Sequence, residues 1–565
     1  MALKLHNTLS GKVETFVPLD LGAARREGRR AVVTFYSCGP TVYDYAHIGN
    51  FRSFLAADTL RRWLESELCD LSGADTLATG GASRGASGGA GGGGAIVRQV
   101  MNITDVGHMV DDSAGGDASD GSGLDRMEVA RQRLLEQKKS GKLPADASKD
   151  FDPGDPYAIA EFYARAFVED ARTMGLRVVR DAEAEPAIMP RPTRYIRQML
   201  ELISTLLANG HAYIGGDEVA YFDTQSFPDY GRLSGNTLDK IRAGAGGRVS
   251  EATTQVKKHP ADFMLWKPDM THLMRWNPAK ELGRATVLGE GYPGWHIECS
   301  AMAAALLGKE IDLHSGGEDN IFPHHECEIA QSRCAHGTEL FARYWFHPRF
   351  LMVEGEKMSK SKGNFYTVRD LVGKGFDPGA IRLELIKTHY RSNANFTEQG
   401  LKDSARIVER WRRFLDKAGD GAGEPMDVGS LGEASRTAAE SFAQAMNEDL
   451  NVSAAIAAVN SWINKLGEPT AADGALMRVF DGVLGVLSLE RASAVGGRGG
   501  AGDGGSGAAR SEEDQRIDEL VAARTAARAG KNWGEADRIR KELDALGVVV
   551  TDSPSGATWS RKVGL

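Results

Sequence analysis

The chain has 565 residues, of which 42% are hydrophobic and 26% charged, and its formal net charge is −9. No apolar run approaches the roughly 20 residues of a membrane span, and five scattered cysteines do not make a disulfide framework. Composition therefore excludes a membrane protein and a small disulfide-stapled protein. The length predicts roughly three to five domains, and the N-terminus has no secretory-signal pattern, which predicts a cytoplasmic location.

The first third of the chain predicts a βαβ unit. Residues 31–36 form a β-branched run typical of a buried strand, residues 48–68 have the periodicity of an amphipathic helix, and residues 96–103 predict a second buried strand. A segment rich in Gly, Ala and Ser at 72–94 interrupts this unit. Its composition predicts a surface insertion without chemistry.

An insertion is expected next, between two halves of the α/β fold. An acidic, Gly-rich loop at 111–123 precedes the predicted helices 124–139, 156–174 and 194–209, and residues 213–222 alternate like an exposed strand pair. From residue 294 to about residue 334 the α/β alternation returns.

The remainder of the chain is predominantly helical. Amphipathic stretches at 398–417, 433–446 and 452–466 predict a helical bundle. Four arginines in the first stretch, at 406, 410, 412 and 413, are either a nucleic-acid contact or a solvated helix face. A Gly-rich linker at 495–509 then leads to a small separate domain.

The run CGPTVYDYAHIGN, residues 38–50, carries the first functional motif. His47-Ile48-Gly49 lies where a loop enters a helix, and the N–H groups and dipole of a helix N-terminus favour phosphate. Taken alone, such a glycine more often only permits close packing between helix and strand. A second motif elsewhere in the chain favours the functional interpretation.

That second motif is KMSKSKGN, residues 357–364. Lysines in a loop of small residues can neutralise a triphosphate while charge moves to departing pyrophosphate. Lys360 is the predicted main contact, with Lys357 beside it. Without the upstream motif, a solvated basic turn would be an equal interpretation.

Cys38 and three later residues are of the types that bind zinc. Zinc accepts thiolate, imidazole and carboxylate together, and the later segments contain Cys299, His324 and Glu328. On a helix, His324 and Glu328 share one face, whereas His325 shares the next face with Ile329. This geometry predicts that His324 and Glu328 point towards the two cysteines, although a single buried Cys299 would more often be a small core residue.

These motifs together resemble the cysteinyl-tRNA synthetases, which are class I aminoacyl-tRNA synthetases. Further blocks carry the resemblance over nearly the whole chain: MNITDVGH (101–108), YGRLS (230–234), DFMLWK (262–267), the segments 294–302 and 322–331, HYR (389–391), AMNEDLN (445–451) and the segment 533–559.

The resemblance implies a Rossmann-type α/β catalytic domain carrying an inserted connective domain, followed by a helical bundle and a small anticodon-binding domain. The implied boundaries are 1–118 and 231–334 for the catalytic halves, 119–230 for the insertion, 335–395 for a stem-contact region with the KMSKS loop, 396–490 for the bundle, 491–511 for the linker and 512–565 for the anticodon-binding domain.

The implied activity is activation of L-cysteine with ATP and its transfer to tRNA(Cys) by a cytoplasmic monomer that does not bind membranes. One Zn²⁺ per chain would be held by Cys38, Cys299, His324 and Glu328 and would bind the substrate thiolate. Trp295 and Thr41 would line the substrate pocket. The residues implied to face ATP and its Mg²⁺ are Gly39, Thr41, His47, Asn50, Asp319, Lys357 and Lys360.

The sequence departs from the commonest family pattern at three positions. Asn50 stands where a His is usual and its amide can still donate to phosphate. Cys327 stands where Asn is usual and is predicted to point away from the metal face. Ser315 stands in an otherwise Gly-rich turn, which is expected to change little.

Two other functions stay open from the sequence. A ligase joining cysteine to an amino sugar would share the zinc and ATP motifs, but it gives no reason for tRNA-reading domains. An inactive RNA-binding relative would have no reason to keep the metal ligands and Lys360.

Overall fold

The structure, a computed structural model, describes residues 2–69, 71, 94–107, 125–238, 240, 256–359, 363–419, 431–489, 512–530, 532–546, 548–553 and 556–561. The segments predicted at 72–94, 111–123 and 495–509 lie wholly or almost wholly outside these residues, and so does Lys360. Among the described helices, none is both long and apolar enough to cross a membrane.

Strands and helices alternate in the first part of the described chain and helices dominate the second. The strands are β1 (Lys4–Asn7), β2 (Lys12–Thr15), β3 (Val32–Ser37), β4 (Ile96–Met101), β5 (Ala212–Ile214), β6 (Ala220–Phe222), β7 (Phe263–Pro268), β8 (Gly291–Pro293), β9 (Ile311–Ser315), β10 (Ala342–Phe346), β11 (Leu351–Val353), β12 (Glu356–Lys357), β13 (Ala394–Phe396), β14 (Val548–Ser553) and β15 (Gly556–Arg561). The helices are α1 (Leu21–Glu27), α2 (Ile48–Glu65), α3 (Arg126–Lys139), α4 (Pro156–Thr173), α5 (Arg177–Ala184), α6 (Ile196–Ala208), α7 (Pro278–Leu282), α8 (Trp295–Leu306), α9 (Glu326–His336), α10 (Val368–Gly373), α11 (Pro378–Ile386), α12 (Glu398–Ala418), α13 (Glu433–Asn447), α14 (Val452–Lys465), α15 (Ala471–Leu484), α16 (Glu512–Ala529) and α17 (Trp533–Ala545).

A parallel sheet of order β10-β9-β3-β4 forms the centre of the α/β part of the fold. Tyr36 on β3 pairs with Val100 on one side and with His314 on the other, and all three are fully or almost fully buried. The predicted β–α–β unit is confirmed as β3, α2 and β4. Because parallel strands end at the same edge of the sheet, the loops after β3, β4 and β9 meet there, where ligands of such folds bind.

The predicted insertion lies between β4 and β9. Helices α3 and α4 confirm two of its predicted helices, and each is capped by an aspartate, Asp125 or Asp155, that accepts backbone N–H bonds. The predicted strand pair exists as β5 and β6, and the expectation that it is exposed is wrong for β6. Strand β7 pairs with the other edge of β6, and Phe222 stacks on Phe263 with ring centroids 5.0 Å apart, so β6 is buried.

The three predicted bundle helices are confirmed as α12, α13 and α14. A fourth helix, α15, was not predicted, because Gly474 and Gly482 interrupt its apolar pattern. Its N-terminus has a capping box, in which Thr470 and Asp473 exchange bonds between side chain and backbone. The arginines of α12 bond to neighbouring polar or acidic side chains, as Arg406–Asp403, Arg410–Asn464, Arg412–Asp377 and Arg413–Glu409.

The C-terminal unit has its own core. Helices α16 and α17 pack together and against the antiparallel hairpin β14–β15. The buried side chains of this core are Ile517, Val521, Ile539, Leu543 and Val548. A separate cluster of this kind agrees with the prediction of a small terminal domain.

A buried ionic cluster joins α2 to the bundle. The Asp58 carboxylate on α2 accepts from Arg62 and from Arg382 on α11, at 2.6 Å each. Arg382 is fully buried and also donates to the carbonyl of Leu484 at the end of α15. Burial would raise the pKa of Asp58, but Arg62 and Arg382 outweigh it and hold the pKa well below its usual range. The cluster therefore connects the nucleotide half of the fold to the bundle through a fully ionised carboxylate.

Replacing Arg382 by Met should lower the free energy of unfolding by about 3–5 kcal/mol, because it leaves Asp58 buried with one cation fewer. Urea unfolding followed by circular dichroism measures this loss. Arg197→Met is the control, since it breaks an exposed Arg197–Glu201 pair and should cost less than about 1 kcal/mol. An equal effect of the two substitutions would contradict the assignment.

Candidate functional site

Two cysteines meet at the carboxyl end of β3. Cys38 follows the strand directly, and its backbone N–H donates to the carbonyl of Ser315 at the end of β9, at 2.8 Å. Cys299 lies in α8, and the two Sγ atoms are 3.9 Å apart. Both thiols are buried. The sheet therefore brings together thiols that lie 261 residues apart in the chain.

His324 and Glu328 complete this cluster from α9 and the turn before it. The distance from His324 Nε2 to Glu328 Oε1 is 3.0 Å, and Glu328 Oε1 lies 3.9 Å from Cys38 Sγ. Cys38, His324 and Glu328 therefore belong to one buried group of possible metal ligands, and Cys299 adjoins this group through its contact with Cys38.

Two further histidines orient these groups. His314 lies 2.9 Å from the second oxygen of Glu328, and His296 Nδ1 lies 2.9 Å from Nδ1 of His324. The remaining nitrogen of His324 therefore faces the cluster, as in sites where a second residue fixes the orientation of a ligating imidazole. Burial would raise the pKa of the Glu328 carboxyl, but His314 and His324 lower it to about 2. Glu328 is consequently an anion that no solvent reaches.

His325 is a further possible metal ligand. The sequence predicts it on the neighbouring helix face, with Ile329. Its Nε2 lies 3.4 Å from Cys38 Sγ, and the ligating atoms of Cys38, His324, His325 and Glu328 lie within 4.8 Å of one another. His325 and Glu328 are three residues apart, and residues at this spacing also meet on the surface of a helix. Nε2 of His325 accordingly lies 3.9 Å from Oε1 of Glu328. The i, i+3 spacing in the sequence is the signal that could have found His325.

Cys327 points away from the metal pocket, as predicted. Its Sγ lies 3.5 Å from the hydroxyl of Tyr230, and both groups are buried. Burial raises the pKa of this thiol well above its usual value. Cys327 is therefore a core residue that hydrogen-bonds to a tyrosine.

Trp295 forms one wall of the pocket. Its ring stacks on the His324 imidazole with centroids 4.1 Å apart and an angle of 23° between the planes. The side chain is half-buried at the first turn of α8. Trp295 therefore contacts the cluster and solvent together.

Gly39 and Thr41 hold the loop between Cys38 and His47 against the end of β4. A β-carbon at Gly39 would lie 1.7 Å from the carbonyl oxygen of Asn102, and Gly39 N–H donates to the Asn102 side chain at 3.0 Å. Thr41 forms a parallel bridge with Thr104. Glycine is required at position 39 because backbone approaches backbone there.

His47 and Asn50 cap the N-terminus of α2. The Asn50 N–H donates to His47 Nδ1 at 3.2 Å, and the His47 N–H donates to Asn50 Oδ1 at 3.1 Å. The N–H of Ile48 donates to the carbonyl of Tyr366. The backbone N–H groups of His47, Ile48 and Asn50 are thus all engaged within the protein, and the positive end of the helix dipole is the feature of this helix start that favours phosphate.

Met358, near the start of the second motif, and Phe365, directly after its end, lie against this helix start. A β-carbon at Gly49 would lie 2.6 Å from Cε of Met358. Phe365 meets the His47 ring edge-on at 5.3 Å, and Thr367 bridges His47 through the backbone. The structure therefore brings the two predicted nucleotide motifs together.

The other predicted ATP residues have different positions. Lys357 is exposed on β12, and Asp319 is exposed in the short 3₁₀ turn Glu318–Asn320 that follows β9. Lys360 lies outside the described residues. Its part in the site stays a prediction from the sequence.

Comparison with known proteins agrees with this arrangement. A family model described as "tRNA synthetases class I (C) catalytic domain" matches residues 25–72 and 94–406, and one described as "Cysteinyl-tRNA ligase anticodon binding domain" matches residues 510–559. The chain is 38% identical over 583 residues to "Cysteine--tRNA ligase" of Salinibacter ruber, covering 99% of this chain and 98% of that protein. It is also 38% identical over 560 residues to the protein of the same name in Afipia carboxidovorans, covering 99% of each.

Replacing Cys299 by Ala should strip most of the bound metal from the protein, because it removes a thiol from the cluster. The measurement is the metal content of purified protein by plasma mass spectrometry after dialysis. Cys327→Ala is the matched control, since it removes an equally buried thiol from the neighbouring core and should leave the metal content unchanged. Equal metal contents in the two variants would remove Cys299 from the site.

Proposed function

The chain belongs to the cysteine–tRNA ligase family of class I synthetases, and we propose that its buried Cys/His/Glu cluster selects cysteine while the start of α2 holds ATP. It is an ATP-dependent enzyme that joins cysteine to tRNA. One observation supports this assignment of cysteine and ATP to separate parts of the site. The loop of residues 38–50 connects the metal cluster at one end to the helix cap at the other, so both substrates meet along it.

Zinc is the ion that suits the cluster. Two thiols, an imidazole and a carboxylate are a donor set typical of zinc, whereas magnesium and calcium prefer oxygen ligands alone. Cys38, Cys299, His324 and Glu328 would hold one Zn²⁺ per chain. When bound there, zinc supplies a bond to the sulfur of the substrate.

A zinc ion at this cluster would explain how the enzyme rejects serine. Serine differs from cysteine by one atom, and an apolar pocket separates such pairs poorly. A zinc site that rewards sulfur makes the distinction in the binding step. Trp295 and Thr41 border the remaining space for the substrate, with Trp295 held in place by its stacking on His324.

The reaction then proceeds in two transfers. The cysteine carboxylate attacks the α-phosphate of ATP, the bond to the β-phosphate breaks, and cysteinyl-adenylate and pyrophosphate form. A ribose hydroxyl of the terminal adenosine of tRNA next attacks the acyl carbon, and AMP leaves. Neither transfer needs a side-chain nucleophile, so that positioning and charge stabilisation carry the catalysis.

The ATP side combines groups from both motifs. His47 and Asn50 occupy the positive end of the α2 dipole, and Lys357 and Lys360 add cationic charge for the pyrophosphate, with Mg²⁺ accompanying ATP. Gly39, Thr41 and Asp319 border the same space. Support comes from the packing of Met358 on Gly49 and of Phe365 on His47, which bring the lysine segment to the helix start.

The partner is tRNA(Cys), read by the C-terminal unit. Trp533, at the first position of α17, is 61% exposed, so its ring is accessible for an unstacked RNA base to stack on. The second candidate function is that of a ligase that joins cysteine to an amino sugar. Because its acceptor would be a small molecule, such a ligase would not use the anticodon-binding domain that the chain contains. The described cysteines form no disulfide, in line with the reducing cytoplasm that we propose, and we expect a monomer.

Purified zinc-loaded protein should catalyse cysteine-dependent exchange of pyrophosphate into ATP without tRNA, and it should then charge a tRNA(Cys) transcript. Radiolabelled exchange and acid-gel charging assays measure the two steps. Absence of exchange would refute both ligase functions. Exchange accompanied by amino-sugar coupling instead of charging would favour the second candidate.

Lys360→Ala should slow adenylate formation by about 10²-fold while changing cysteine binding little, because Lys360 faces charge that develops during the transfer. Single-turnover exchange kinetics and the KM for cysteine separate the two effects. Lys402→Ala is the control, since Lys402 forms an exposed pair with Glu398 on α12. An unchanged rate in Lys360→Ala would refute the role.

A further inference from the structure

Arg369, the second residue of α10, contacts three parts of the chain. Its Nε lies 3.2 Å from both oxygens of Asp170 on α4, and its Nη2 donates to the carbonyl of Ala166 at 2.8 Å. Its Nη1 donates to Asp146 at 2.6 Å. All of these acceptors belong to the insertion, whereas α10 directly follows the lysine motif.

The third part is the loop of residues 38–50. The Arg369 guanidinium lies 4.5 Å from the centroid of the Tyr45 ring, and the Tyr45 hydroxyl donates to Asp146 at 2.6 Å. Cation–π contact and a shared carboxylate thus hold Tyr45 and Arg369 together. Tyr45 is two residues from His47.

The segment that Arg369 anchors is the one that covers the helix start. Thr367 caps α10, with a capping box to Asp370, and also bridges His47. Tyr366 accepts the N–H of Ile48 at 2.9 Å. A shift of α10 would therefore move Tyr366 and Thr367 relative to the first turn of α2.

The charges around Arg369 favour a fixed position. Asp170 is 5% exposed, Asp146 is partly exposed, and Glu169 lies 3.8 Å from the guanidinium at the surface. A guanidinium that donates to several fixed acceptors loses several hydrogen bonds when it moves, whereas a lysine with one contact loses one. Arg369 therefore holds α10 to the insertion in one position.

We propose that Arg369 is a positioning residue for the ATP half of the reaction, which aligns the segment 366–367 with His47 by fixing α10 to the insertion. This inference rests on the proposed placement of ATP at the start of α2. Arg369 itself does not touch the reacting atoms. Its loss should therefore impair use of ATP and leave the cysteine side intact.

The test must separate positioning from stability, because removing Arg369 alone would leave Asp170 buried without its cation. The variant is therefore the double substitution Arg369→Met with Asp170→Asn, compared with Asp170→Asn alone. The amide keeps the shape of Asp170 and removes the charge. Arg172→Met is the control. Arg172 lies on α4, the helix that carries Asp170, and forms an exposed ion pair with Glu183.

In pyrophosphate exchange, the double variant should show kcat/KM for ATP reduced about tenfold relative to Asp170→Asn, with the KM for cysteine changed less than about twofold. Arg369→Lys keeps a positive charge beside Asp170 but cannot reach all the acceptors, and it should show the same loss to a smaller extent. If kcat/KM for ATP in both Arg369 variants equals that of Asp170→Asn alone, the proposal is wrong.

Hydrogen–deuterium exchange supplies a readout that does not depend on activity. The N–H of Ile48, which Tyr366 accepts, should exchange faster in the double variant, while amides in the middle of α2 keep their protection. Unchanged exchange at the start of α2 would count against the proposal even if the wild type showed no activity. An inactive wild type with faster exchange in the variant would instead refute the placement of ATP and keep the role of Arg369.

Discussion

The full burial of the Glu328 carboxylate is the constraint that organises the site. A carboxylate without solvent is costly unless positive or hydrogen-bonding groups surround it. His314 approaches one oxygen from the sheet and His324 the other from the turn before α9. The carboxylate is therefore an anion enclosed by imidazoles, beside the thiol of Cys38.

Ionic contacts also connect the insertion and the bundle to the elements beside the small parallel sheet. The buried Cys/His/Glu cluster lies at the edge where β3, β4 and β9 end, and the nucleotide site that we propose lies at the first turn of α2. Arg369 connects that turn to the insertion, and Asp58 connects the far end of α2 to the bundle. Both connections use buried or half-buried ionic groups whose directionality fixes orientation more strictly than apolar packing would.

Much of this arrangement was predictable from local sequence. A β-branched strand, a Gly-Pro loop and an amphipathic helix predicted β3 and α2 within a few residues, and the i, i+4 spacing predicted the His324–Glu328 pair. His325 was assigned to another face because only the i, i+4 spacing was considered, whereas His325 reaches Glu328 at the i, i+3 spacing. The exposure of β6 was misjudged because its partner β7 lies 41 residues later than the end of β6. Helix α15 was missed because its stability comes from packing in the bundle and a capping box, which outweigh its two glycines.

Helix α2 has mechanical consequences of its own. It has 18 residues, which corresponds to a rigid rod of about 27 Å. His47 caps one end, and the Asp58–Arg62 cluster holds the other half to the bundle that follows the catalytic part. A tilt of about 5° imposed on the rod at the bundle end would displace the His47 end by about 2 Å, given the rise per residue of an α-helix. A small rotation of α2 at the bundle end would therefore move the His47 end by a distance that matters for catalysis. A displacement of this size can turn a productive alignment of reacting atoms into an unproductive one.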